Sequence, residues 1–181
     1  MTRTTIQRLN FRQIPSIIDL ALKNGAGRAS FLTVDVASSE AFGLRSLESK
    51  IPGEQQNLNE EEIEEFSEII ARLEKTHREH FLDGRIAESP EKLRGYAAYF
   101  SAVLGHRKFK LPPCNSPQIA ASIDVDGSIR PCFFLPVGGN IREESLSKAL
   151  NHKSMLKLRG EFRKKSRKEC ERCVCPIVYG D

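Results

Sequence analysis

The chain has no tryptophan, three tyrosines and two methionines in 181 residues, and no cysteine before position 114. No apolar run approaches the roughly 20 residues that a membrane helix needs, which argues against a spanning segment. The opening MTRTTIQRLNF lacks the apolar core of a secretory signal, so we expect a cytoplasmic, reducing setting. There is no G-x-S-x-G, no phosphate-binding loop and no dinucleotide fingerprint, which removes the sites those motifs build. The four histidines, His77, His80, His106 and His152, sit in hydrophilic contexts. None belongs to a helix-spaced acid–histidine motif, and His77 with His80 reads as a surface pair.

What is present fits a soluble globular chain: 39% hydrophobic residues, 29% charged and a net charge of +4. The charge is unevenly spread. Residues 57–91 are acid-rich, and the basic excess falls in HKSMLKLRGEFRKKSRKECERC. Such a run is most often a solvated helix face beside an anionic group; nucleic-acid binding is the sharper alternative. No RNA-binding signature and no aromatic-interleaved basic stretch accompanies it.

Along the chain, TTIQRL reads as a short strand ending at Asn10. IPSIIDLALKNG follows as an amphipathic helix that starts at Pro15 and stops at Gly25. ASFLTVDV, residues 29–36, reads as a strand buried on both faces, which makes a parallel, right-handed βαβ unit. Residues 37–57 form a long irregular connection. Asn59 with Glu62 has capping-box spacing before a helix reaching about His80, with the paired carboxylates of NEEEIEEFSE on a surface helix. A further helix runs from Ser89–Pro90 to Gly105. Beyond a boundary near residue 107 the pattern changes. QIAASIDV, a turn at Asp126–Gly127 and SIRPCFF form a hairpin, GGN ends it, and one or two helices lead into CERCVC. Asp124 and Asp126 lack the later acidic ligands that a calcium loop needs.

All five cysteines fall in the last 68 residues: Cys114, Cys132, Cys170, Cys173 and Cys175. Core thiols would be scattered, and an odd number suits a disulfide framework poorly. A hairpin folds Cys114 and Cys132, the latter placed on its second strand, toward one another. The C-x-x-C at Cys170 and Cys173 presents two more sulfurs from a tight turn. Four thiolates suit tetrahedral zinc or a [4Fe–4S] cluster. Zinc ribbons usually pair two tight knuckles, and the wide Cys114–Cys132 interval favours iron–sulfur.

Cys114, twelve residues, Gly127, four residues and Cys132, followed by GNI at 139–141, LR at 158–159 and the late C-x-x-C, resemble the SPASM/twitch region of radical S-adenosylmethionine (radical SAM) enzymes. Those regions bind auxiliary [4Fe–4S] clusters. More weakly, residues 1–107 resemble the later units of the family's partial β/α barrel, whose strand ends lie near S-adenosylmethionine and substrate. Asn10 falls at such a strand end, but no motif accompanies it that would assign it a ligand, and a turn-forming role suits it better. The fold implied is α/β: an incomplete barrel over 1–107, then a hairpin-plus-helix SPASM/twitch module over 108–181. Carried over position by position, Cys114, Cys132, Cys170 and Cys173 become the ligands of one cluster. Cys175 is left over or replaces one of the late pair.

The resemblance departs at two points. Full SPASM regions carry seven cysteines and two clusters, whereas this chain has five; one-cluster, twitch-type members use the early pair plus a late C-x-x-C. The family's C-x-x-x-C-x-x-C loop, which holds the S-adenosylmethionine-cleaving cluster, occurs nowhere in this sequence. The implied function is the auxiliary-cluster portion of such an enzyme, serving electron transfer or substrate positioning while a peptide or small metabolite is modified. S-adenosylmethionine would be used only with the missing half supplied, as a partner or within a longer parent chain. The alternative is a non-enzymatic zinc-stabilised module that contacts nucleic acid through residues 152–172.

Overall fold

The computed structural model describes residues 1–36 and 56–178, and within them the chain divides into two compact units. The first comprises residues 1–36 and 56–109, the second residues 110–178. Most of the irregular connection expected over 37–57 lies outside the described residues.

In the first unit, β1 (Thr2–Ile6) pairs in parallel with β2 (Ala29–Thr33), Thr2 opposite Ala29 and Ile6 opposite Thr33. Both strands are shorter than the sequence suggests. A turn of 3-10 helix at Phe11–Gln13 and α1 (Ile14–Lys23) make the crossover. Pro15 occupies the first turn of α1, and Gly25, at φ +81°, closes its end. Ile14 and Ile18 are buried, with Ile17, Ala21 and Leu22 beside them. Leu20 falls off that stripe and is exposed. Asn10 takes the turn role: its Oδ1 accepts the Gln7 N–H at 3.0 Å and its Nδ2 donates to the Thr5 carbonyl at 2.9 Å.

On the other side of β2, Ala29 bridges in parallel to Ile86, so the extended segments lie side by side in chain order. Past that bridge, side chains continue the edge. The Phe31 N–H donates to Glu88 Oε2 at 2.7 Å, and Tyr96 Oη donates to the Phe31 carbonyl at 2.8 Å. Beyond α1 come α2 (Glu60–Thr76), α3 (Arg78–Leu82) and α4 (Pro90–Val103). The helix expected to reach His80 breaks at His77. Phe66 of α2 sits edge-on between Phe11 and Phe100, with ring centroids 6.1 and 6.2 Å away, and this trio centres the core. Asn59 and Glu62 form the full capping box. Glu62 is buried rather than on the surface, because it also accepts the Arg8 Nε–H at 3.0 Å.

In the second unit, α5 (Ser116–Ile119) precedes a three-stranded antiparallel sheet of β3 (Ser122–Ile123), β4 (Ser128–Arg130) and β5 (Gly139–Asn140). Gln118 and Ile119 thus belong to a helical turn rather than a strand. GGN does not end the hairpin; it supplies the third strand. Glycine suits that place, since a Cβ on Gly138 would lie 2.4 Å from Met155 Sδ. After the sheet come α6 (Leu146–Leu150), α7 (Lys153–Arg163) and α8 (Lys168–Glu171). Ile129, Ala149 and Met155 form the apolar centre of the unit. Among the described residues no helix is long and apolar enough to cross a membrane.

Candidate iron–sulfur centre

The hairpin turn depends on Gly127, whose φ of +87° is one that other residues rarely adopt. Asp126 fixes the turn from below by accepting the Ser128 N–H at 2.9 Å and its hydroxyl at 3.0 Å, and these bonds hold its carboxyl below the usual range. The aspartates are therefore spent on structure, Asp126 on the turn and Asp124 on Arg130. Asn140 ties β5 to the same turn through its Nδ2, 3.3 Å from the Asp126 carbonyl.

Pro131, which has no N–H, ends β4. Cys132 therefore lies in the turn that follows rather than on the strand where the sequence places it, and the Leu135 N–H closes that turn onto the Cys132 carbonyl at 3.2 Å. The other early cysteine is positioned by a long-range bond: the Asn115 N–H donates to the Ile177 carbonyl at 3.0 Å, which lays Cys114 beside the late cysteine segment. Arg159 pins the helical layer. It donates to the carbonyls of Pro117 at 3.1 Å and Leu150 at 2.9 Å. At the far end Arg167 pairs with Glu161 at 3.0 Å and with Glu169, and the Cys173 N–H turns back to the Cys170 carbonyl at 3.3 Å.

Together these bonds bring Cys114, Cys132, Cys170, Cys173 and Cys175 to the wall of one cavity of about 830 Å³. None of the five is in a disulfide, and all are half-buried. Arg163 and Lys165 also line the cavity, and no His, Asp or Glu does so among the described residues. Nor do three such side chains, cysteines included, meet among the described residues as a ready site for a single ion.

The electrostatics follow from this crowding. Burial pushes the Cys132 thiol up; the N–H of Phe134 opposes it, Cys114 adds to it, and the Leu135 N–H and Arg130 oppose it more weakly. Cys170 is pushed up to about 12 by burial, then by Cys132, Glu169 and Cys114, against Arg167. Cys173 is raised as well, first by burial, with the Cys175 N–H opposing and Cys114, Cys132 and Cys175 adding. Each of Cys170 and Cys173 therefore feels both early thiols. Burial thus favours the protonated thiol at Cys132, Cys170 and Cys173, and a cationic iron–sulfur core would have to displace those protons. A donor set made of sulfur alone around a roomy cavity fits such a core.

Residues 114–174 match the family model SPASM, an iron-sulfur cluster-binding domain. The match begins at the first cysteine and takes in Cys132, Cys170 and Cys173. A search of the curated proteins finds no match to this chain. The second unit is thus similar to an iron–sulfur cluster-binding domain, and the match supports iron–sulfur binding there. Reading the sequence alone gave Arg130 and Arg159 no role of their own and missed the Asn115–Ile177 bond. The RPC tripeptide and the LR dipeptide were the available signals for the two arginines; the bond left none.

Proposed function

We propose that residues 110–178 hold one [4Fe–4S] cluster through Cys114, Cys132, Cys170 and Cys173, and that the chain is the auxiliary-cluster part of a radical SAM enzyme. The carrying observation is the convergence of thiols from the two ends of the unit on one cavity, inside the stretch that matches the SPASM domain. Cys175 is left out of the ligand set because the resemblance assigns an early pair and a late C-x-x-C, and its N–H donates to the Cys173 sulfur at 3.4 Å. When bound, the cluster supplies one-electron storage. Four protein thiolates leave no iron open, so the role is electron transfer or substrate positioning rather than direct ligation of substrate. Arg163 and Lys165 on the cavity wall offset the charge of the thiolates.

The parallel, chain-order arrangement of β1, β2 and residue 86 supports a portion of a partial β/α barrel in the first unit. Near the carboxyl ends of these strands Thr33 Oγ1 and Asn57 Oδ1 are buried without a hydrogen-bond partner. Parallel α/β folds take their ligands at such ends, and we assign S-adenosylmethionine or substrate to this one. The sequence has no C-x-x-x-C-x-x-C, so cleavage of S-adenosylmethionine is assigned to a part bearing that motif, in a partner or a longer parent chain. The product is a modified peptide or small metabolite, made in the cytoplasm.

The test is iron, sulfide and zinc content per chain after purification without oxygen, for the wild type and Cys132→Ala. About four irons and four sulfides, lost in the variant, are expected. One zinc without sulfide would overturn the reading and leave the zinc-stabilised module, whose basic 152–172 stretch salt-dependent retention on nucleic acid would then probe.

A further inference from the structure

Arg130 is the most deeply buried cation of the second unit among the described residues, 6% exposed. Its Nη2 donates to Asp124 Oδ2 at 2.7 Å and its Nη1 reaches the Leu135 carbonyl at 3.5 Å, the outer limit of a hydrogen bond. Its Nε is buried with no hydrogen-bond partner. Such an arrangement is costly: a buried charge is normally paired and its donors satisfied. Here a single carboxylate serves, and that carboxylate is itself 29% exposed. Water screens Asp124 more than it screens the guanidinium, so the pair leaves a net positive field on its buried side.

The position of the residue indicates what this field acts on. Successive side chains of a strand point to opposite faces. Ile129 enters the apolar centre with Ala149 and Met155, so Arg130 projects from the other face of β4, two residues before Cys132. It stands outside the wall of the cavity, but its Nη1 reaches the Leu135 carbonyl, at the end of the turn that begins at Cys132. The Leu135 N–H closes that turn onto the Cys132 carbonyl at 3.2 Å, so Arg130 contacts the residue that fixes the backbone of Cys132. One side chain therefore supplies a buried charge two residues from Cys132 and a hold on the turn that begins there.

We propose that Arg130 is the built-in counter-charge of the cluster: anchored by Asp124 behind Cys132, it raises the reduction potential of the bound cluster. The inference rests on the cluster reading above. Reduction adds one electron, and hence one negative charge, to the cluster, while the four thiolates stay as they are. A fixed buried cation stabilises that more negative state, and net charge and hydrogen bonds to sulfur are the levers that set such potentials.

The experiment is a reductive titration of the full chain, loaded without oxygen with ferrous iron and sulfide. A one-electron chemical reductant supplies the electron, and absorbance and spin resonance follow it. Arg130→Met is expected to bind the same iron and to shift the reduction equilibrium at least tenfold toward the oxidised form, about 59 mV for one electron. Arg130→Lys keeps the charge and should recover most of the shift. A wild-type potential in Arg130→Met overturns the proposal. An equal shift in both variants also overturns it, because turn geometry rather than charge would then be responsible. If Arg130→Met does not fold, Asp124→Asn decides: removing the anion alone must leave the potential at or above the wild-type value, and a fall refutes the counter-charge. A wild-type chain that takes up no iron and sulfide fails at the earlier step and sinks the proposed function instead.

Discussion

The backbone N–H of Cys175 donates to the sulfur of Cys173 at 3.4 Å. This contact gives Cys175 a role that does not need its own thiol, since the donor is the main chain. Cys175→Ala should therefore keep nearly the full iron and sulfide content, whereas Cys173→Ala should lose it. Cys175→Pro removes the N–H and should make the cluster easier to lose to a chelator. Iron loss from Cys175→Ala equal to that from Cys173→Ala would instead make Cys175 a ligand.

Glu62 joins the start of α2 to the end of β1. Burial pushes its carboxyl up, but the N–H of Asn59 and the guanidinium groups of Arg8 and Arg12 outweigh burial and hold it below the usual range. A lowered folded value contributes stability that is fully present above the unfolded pKa of about 4.3 and is lost as pH falls through the folded one. Glu62→Gln removes that contribution. Urea midpoints of wild type and variant should differ at about pH 7 and converge toward about pH 3. A constant gap across that range would mean that the charge of Glu62 is not what stabilises the junction.

The helix starts and the end of α1 were legible because their chemistry is local. Asn59 with Glu62, Ser89 before Pro90, and Gly25 each satisfy orphan backbone groups within a few residues. The second unit was harder to read. Pro131 takes Cys132 off the strand, and Gly139–Asn140 pairs as a strand because Gly138 lets the chain close on Met155. Neither glycines nor a proline carry the alternating pattern from which strands are read. The cysteine cluster stood out by composition alone, but the contact that aligns Cys114 with the late segment joins residues 115 and 177. No periodicity encodes a bond over that interval. Arg130 was hidden for a related reason, since burial of a charge depends on which face its strand buries.

Gly138 gives a test of the packing beneath the site. An added methyl would meet Met155 Sδ at 2.4 Å, Cγ at 2.6 Å and Cα at 3.2 Å, and Met155 is fully buried. The backbone contact cannot be relieved by a change of rotamer, so Gly138→Ala should cost about 1–3 kcal/mol. Met155→Ala alone should cost about 2–5 kcal/mol as a cavity. The double variant should lose little beyond Met155→Ala, because the Sδ and Cγ contacts vanish and only the 3.2 Å approach to the Met155 Cα remains. Additive losses in urea unfolding would show that the two positions do not compete for one volume.

Glu88 closes the edge of β2 without a strand. It is 5% exposed, its Oε2 takes the Phe31 N–H at 2.7 Å and its Oε1 takes the Ser30 hydroxyl at 3.0 Å. Lys92 Nζ stands 4.0 Å from Oε1, which partly offsets the cost of the buried charge. Glu88→Ala would leave the Phe31 N–H and the Ser30 hydroxyl unpaired in the interior, at about 1–3 kcal/mol for each group. It would also uncover a strand edge that can recruit another chain. Glu88→Gln retains an acceptor for Phe31 and should lose less. The specific readout is hydrogen exchange at the Phe31 amide: protection should fall in Glu88→Ala by more than the global loss of stability accounts for, and should persist in Glu88→Gln. Unchanged protection in the alanine variant would mean that another group seals the edge, and the side-chain closure of β2 would have to be abandoned.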